Sequence, residues 1–126
     1  MLAKVLKSIS DDDSIDLFRY IATNDSDSES LRSKSSMTRK QYYSRMSRLM
    51  KAGLIKRKNG KHTLTAFGKV IYDSQITIEN AINSYWKLKA IDSLEMSDDL
   101  PVEERKKLID NLIENNGIRE ILTRKL

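Results

Sequence analysis

The chain has 126 residues, 39% of them apolar and 33% charged, with a formal net charge of +5 at pH 7. It is long enough for one core and an appendage, and with no cysteine and one histidine it excludes a disulfide framework and a thiolate or histidine-rich metal site. No run approaches the roughly 18 apolar residues of a membrane span, and the N-terminus lacks the apolar stretch and cleavage site of an export signal, so a cytoplasmic protein without membrane contact is expected.

In "LAKVLKSI", Leu2, Val5, Leu6 and Ile9 recur at helical spacing, a short amphipathic segment expected to pack on its own chain or on a second subunit. "DDDSIDLFRYIAT" then sets Asp11, Asp12 and Asp13 where a helix N-terminus favours acids, and aligns Ile15, Phe18, Ile21 and Ala22. A helix from about 13 to 23 follows, its acids solvated. "NDSDSES" is a polar break, and "SESLRSKSS" makes a short second helix anchored by Leu31 and ending near Ser35.

Thr38 and Gln41 have capping-box spacing, so a helix starts at residue 38. Tyr42, Met46 and Leu49 form its apolar stripe, and Gly53 supplies the left-handed residue that ends it after residue 52. At 100° per residue the opposite face holds Lys40, Ser44, Ser47, Arg48 and Lys51, with Arg39 and Tyr43 on one flank and Gln41 and Arg45 on the other. Next, Asn59-Gly60 between "LIKRK" and "KHTLT" predicts a tight hairpin over 54–65. Counting outward pairs Lys58 with Lys61, Arg57 with His62, Lys56 with Thr63 and Ile55 with Leu64, with His62 an exposed residue.

Charge is distributed unevenly. Residues 1–37 sum to -2 and residues 70–126 to -3, whereas residues 38–69 carry ten Lys or Arg and no Asp or Glu. Surface helices ordinarily mix signs, because like charges repel, so one sign over such a length implies an anionic partner, nucleic acid first.

From Ala66 to about Glu95 the pattern predicts one helix of nearly 30 residues, on the order of 45 Å long. Its stripe includes Ile78, Ile82, Tyr85, Leu88 and Ile91, with Trp86 beside them, an apolar surface suited to a symmetry mate. Pro101 opens a further helix with Leu108, Ile109, Leu112 and Ile113 on one side, stopped by Asn115-Asn116-Gly117; a last short helix holds Ile118, Ile121 and Leu122. These C-terminal helices bury their apolar faces either on their own chain or on another subunit.

Helix, short helix, turn, basic helix and basic hairpin, with "RLMKAGLIKRKNGKHTLTAFGKVI" as the most characteristic piece, resemble the winged helix-turn-helix transcriptional regulators of archaea and bacteria, in the neighbourhood of the MarR, ArsR and PadR groups. The resemblance covers roughly residues 11–72. It implies a mostly α fold with a small β-hairpin, in which residues 1–72 form a winged-helix DNA-binding domain and residues 73–126 a helical dimerisation region. Helix 38–52 would enter the major groove of double-stranded DNA and the wing 54–65 would touch phosphates or the adjacent minor groove. A regulator of this kind is expected to be a homodimer and a repressor more than an activator.

The physical chemistry of those residues agrees with such a role. Arg39, Lys40, Tyr43 and Ser44 are placed at base edges or the adjoining backbone, and Gln41 joins these DNA-binding candidates although the capping box occupies its side chain; Arg45, Ser47 and Arg48 are nearer phosphates. Arg57, Lys58, Asn59 and Lys61 position the hairpin on the duplex. No phosphate loop, nucleophile elbow or metal-ligand cluster is present, so neither catalysis nor a cofactor is expected. A small-molecule effector near Trp86 has no residue pattern behind it. A protein-interaction module with an acidic partner, and a sequence-independent DNA-coating protein, share the charge pattern and stand as alternatives.

Overall fold

The computed structural model describes residues 1–23, 37–95 and 100–124. In chain order these form α1 (Leu2–Ser8), α2 (Asp12–Thr23), α3 (Arg39–Lys51), β1 (Ile55–Lys58), β2 (Lys61–Leu64), α4 (Ala66–Asn83), α5 (Tyr85–Glu95), α6 (Val102–Leu112) and α7 (Asn116–Thr123). Among the described residues the protein is therefore mostly helical with one two-stranded antiparallel sheet. The short helix expected around Leu31 lies outside them. Contacts divide the chain into two units, Met1–Asp73 and Ser74–Leu126.

The core of the first unit joins Val5 of α1, Leu17, Phe18 and Ile21 of α2, Tyr42, Met46 and Leu49 of α3, and Leu54 and Ile55 at the hairpin entrance. Phe18 meets Tyr72 of α4 edge to face at 5.5 Å, the geometry that ring quadrupoles favour. The stripe expected along α1 is rotated: Val5 and Ser8 are buried and Ile9 half-buried, whereas Leu2 and Leu6 are exposed. Ser8 tolerates burial because its hydroxyl donates to the Val5 carbonyl at 2.6 Å. In α2 the buried side is Ser14, Leu17, Phe18 and Ile21, leaving Ile15 half-exposed.

Both ends of α3 are closed as local chemistry predicts. At its start the Gln41 N–H donates to the Thr38 hydroxyl at 3.2 Å and the Thr38 N–H to Gln41 Oε1 at 3.0 Å, completing the capping box. At its end Gly53 takes φ +81°, the Gly53 N–H donates to Met50 and the Leu54 N–H to Leu49, the paired bonds of a Schellman motif. Leu49 and Leu54 are both fully buried, so the reversal is sealed by the apolar contact that accompanies it.

The hairpin has the expected register, Ile55 opposite Leu64 through Lys58 opposite Lys61, with positive φ at Asn59 (54°) and Gly60 (76°). It is tied at its base by Thr65. The Thr65 N–H donates to the Leu54 carbonyl at 3.1 Å, its hydroxyl to the Gly53 carbonyl at 2.5 Å, and the same oxygen accepts the Gly68 N–H at 2.8 Å, capping α4. A Cβ on Gly68 would lie 1.9 Å from the Leu54 carbonyl oxygen. Only glycine lets α4 approach the backbone that closely.

The single long helix expected over 66–95 is interrupted at Ser84. Its N–H is shared between the carbonyls of Asn80 and Ala81, at 3.0 and 3.2 Å, and the ladder resumes with Leu88 donating to Ser84. Asn80, Asn83 and Ser84 have short polar side chains that compete with the helical backbone, which accounts for the tightening there. In the second unit Ile91, Ile109, Ile113 and Ile118 form a core, with Ala81, Leu88 and Leu112 packed on it. The Asn-Asn-Gly segment acts as a start rather than only a stop. Asn115 accepts the Ile118 N–H at 3.0 Å and caps α7, which begins at Asn116.

Gly68→Ala is expected to cost about 3 kcal/mol or more, because backbone must move to admit the methyl group. Gly60→Ala, whose Cβ meets nothing within 4 Å, should cost only about 1 kcal/mol for its left-handed conformation. Urea unfolding of both variants checks this; equal losses would remove the close approach as a constraint.

Candidate nucleic-acid interface

The surface of α3 away from the core carries Lys40, Ser44, Arg48 and Lys51, all exposed. They project there because Tyr42, Met46 and Leu49 are drawn inward and the helical period leaves the other side free. At the N-terminal turn Arg39 is exposed, and its guanidinium lies 5.9 Å from the Tyr43 ring, within cation-π range. Tyr43 is 51% exposed and rests edge-on against buried Tyr42 at 5.3 Å. The result is a fixed aromatic edge beside a flexible cation. Gln41 is occupied by the cap, as expected.

Arg45 departs from its expected place among the phosphate-facing residues. Its Nε donates to Asp11 Oδ1 at 3.0 Å, Nη2 lies 3.8 Å from Asp13 Oδ2, and the side chain is only 17% exposed. The acidic start of α2 is thus more than a solvated helix end. Asp11 also accepts the Ser14 N–H and the Ser14 hydroxyl, both at 2.9 Å, capping α2 and joining it to α3 at once. Burial works against ionising Asp11, but those bonds and the Arg45 charge outweigh it and hold its carboxyl below the usual 3.8. Arg45 is a bridge within the unit, and local spacing could not reveal a partner 34 residues away.

The hairpin lies on the other flank of α3. Residues paired across strands share a face, so Ile55, Arg57, His62 and Leu64 point one way and Lys56, Lys58, Lys61 and Thr63 the other. Arg57 and His62 line a cleft of about 260 Å³ with Tyr42, Tyr43, Met46, Ser47 and Met50 of α3. His62, expected to be exposed, is only 5% accessible. The signal was present: two residues before the inward-facing Leu64, it must share that side. Burial first, and the Arg57 charge second, push its pKa below the usual 6.5.

Lys58 and Lys61 face each other across the turn with Asn59 between them. Asn59 therefore has a conformational role, since it holds the positive φ of the turn. Beyond α3 and the hairpin, a groove of about 350 Å³ is lined by Lys4 and Lys7 of α1 with Arg48 and Lys51 of α3. The two lysines were absent from the sequence candidates, although their i,i+3 spacing was visible, because the acids that follow offset them in a segment sum. Among the described residues no group of three or more His, Cys, Asp or Glu is arranged to hold a metal ion.

In the second unit, Ile78, Ile82, Tyr85 and Trp86 are exposed, Trp86 at 77%. Lys89 Nζ lies 5.5 Å from the Tyr85 ring and 5.7 Å from that of Trp86. Two members of the expected dimerisation set behave differently. Ile91 is buried within its own chain and Leu88 packs on the same core, because α6 and α7 cover that side of α5.

No family model, curated protein or solved structure matches the chain.

With its folded pKa depressed, His62 leaves the unfolded chain binding more protons below pH 6.5, so hairpin stability is complete above that pH and falls as pH drops toward the folded value. Protection of the β1 and β2 amides, taken as exchange relative to the intrinsic rate at each pH, should therefore fall between pH 7 and pH 5, and His62→Gln should flatten that response. The same response in both proteins would rule His62 out.

Proposed function

We propose that this protein is a sequence-specific double-stranded DNA-binding transcriptional regulator of the winged helix-turn-helix kind, acting in the cytoplasm and repressing by occluding a promoter. The observation that carries the reading is the exposed cationic side of α3, free of carboxylates and flanked by a cationic hairpin. An α-helix fits the major groove, and its N-terminal residues reach base edges. Arg39, Lys40, Tyr43 and Ser44 stand at that end and take the base-reading role. Ser47 and Arg48, farther along, meet the backbone. Lys58 and Lys61 at the hairpin tip hold phosphates, which also relieves their mutual repulsion.

The proposed assembly is a homodimer. Ile78, Ile82, Tyr85 and Trp86 recur at i, i+4, i+7 and i+8, an apolar strip that its own chain leaves exposed. Two copies joined along this strip would present two α3 helices to an inverted repeat and combine two modest affinities. No helix among the described residues is long and apolar enough to cross a membrane.

Selection of duplexes from a random pool should enrich an inverted repeat with half-sites about 10 base pairs apart, bound at least ~10³ tighter than a scrambled duplex. Arg39→Ala and Ser44→Ala should each cost roughly 1 to 3 kcal/mol of preference, while Arg45→Gln lowers stability and leaves preference intact. Equal affinity for all duplexes would point to a coating protein, and no binding at moderate salt would leave a protein-interaction module.

A further inference from the structure

Four cations converge on the groove between α1 and α3, and they come from two segments separated by more than forty residues: Lys4 and Lys7 from one, Arg48 and Lys51 from the other. All four are exposed, and among the described residues none has a carboxylate within ion-pair distance. Of the three nearest acids in sequence, Asp11 and Asp13 are engaged by Arg45, and Asp12 is exposed with no ion pair to Lys4 or Lys7.

Helix dipoles offer a partial account, because Lys7 and the pair Arg48 and Lys51 lie in last turns, where cations are favoured. That preference does not extend to Lys4, and it does not require the two sets to line one groove. The end of α3 is in any case closed by the bonds from Gly53 and Leu54. Nor is α1 a loose tail. Val5 sits in the core and the Ser8 hydroxyl is bonded back to Val5, so both lysines project from an anchored helix.

The groove adjoins the interface already described. At 100° per residue Arg48 and Lys51 border Lys40 and Ser44 on the exposed side of α3. Lys4 and Lys7 therefore extend that surface on the flank away from the hairpin. Four cations on one groove, unpaired among the described residues, match a polyanion, and a duplex supplies one negative charge per ~1.7 Å of axis.

We propose that Lys4 and Lys7 of α1, together with Arg48 and Lys51 of α3, hold backbone phosphates of the duplex whose bases α3 reads, making the N-terminal helix a second DNA-positioning element opposite the hairpin. This rests on the DNA-binding reading above. The element adds affinity and register but no base preference, since phosphates are the same at every step.

The test uses the full chain, a selected duplex and an unrelated one, titrated at several salt concentrations between 50 and 200 mM with wild type, Lys4→Gln/Lys7→Gln and Arg39→Ala. Each phosphate contact contributes about 0.9 to the slope of log affinity against log salt, so the double variant should lose roughly 2 units of slope. It should weaken both duplexes by about the same factor, on the order of 10-fold or more, with an unchanged melting temperature. Arg39→Ala should instead erode the ratio between the duplexes. If wild type binds and Arg39→Ala weakens it while the double variant keeps wild-type slope and affinity, the role of α1 is overturned and the reading of α3 stands. Binding of inorganic phosphate that the double variant abolishes, with duplex binding untouched, would likewise overturn it in favour of a separate anion site. If wild type binds no duplex, both fall together.

Discussion

A close approach between Gly68 at the start of α4 and the backbone at Leu54 governs the placement of the elements around it. Thr65 enforces it by bonding to Gly53, Leu54 and Gly68 at once. Through that one residue the end of α3, both ends of the hairpin and the start of α4 are held in a single knot. The exposed side of α3 and the hairpin cations consequently keep a fixed relation, as the proposed role on a rigid duplex requires. A regulator whose two reading elements moved independently would lose affinity to the entropy of ordering them.

The distribution of charge follows a second constraint, that buried or half-buried cations need partners and exposed ones do not. Arg45 is the cation of α3 nearest α2, and it is the one that takes Asp11 and Asp13. Its neighbours on the outer face have no carboxylate within ion-pair distance among the described residues. Asp11 and Asp13, two of the acids that reduce the charge of the N-terminal segment, therefore stabilise the scaffold. This is why the net charge of that segment conceals Lys4 and Lys7, which occupy a different side of α1 from the buried Val5 and Ser8.

Features governed by nearest neighbours in sequence were legible: the capping box at Thr38 and Gln41, the Gly53 reversal, and the register set by Asn59-Gly60 all depend on residues within a few positions of each other. The inward position of His62 was equally local, fixed by strand alternation from Leu64, yet its polarity suggested exposure. What spacing could not supply was the choice of distant partner. Arg45 is equivalent to Arg48 by composition and differs only in pointing toward α2. Ile91, nine residues from Ile82, falls half a turn away at 100° per residue, on the side that α6 and α7 cover. The interruption at Ser84 is an intermediate case, in which three weak helix formers were outweighed by a long run without glycine or proline.

If the exposed side of α3 meets DNA, as proposed, chemical-shift perturbation in the 126-residue chain on titration with a selected duplex will locate the contact. The largest changes should fall on backbone amides from Arg39 to Lys51, with a second set at Arg57 to His62 and smaller ones at Lys4 and Lys7. Shifts confined to Ser74–Leu126, or spread evenly over the surface without concentration on α3, would contradict the proposed contact.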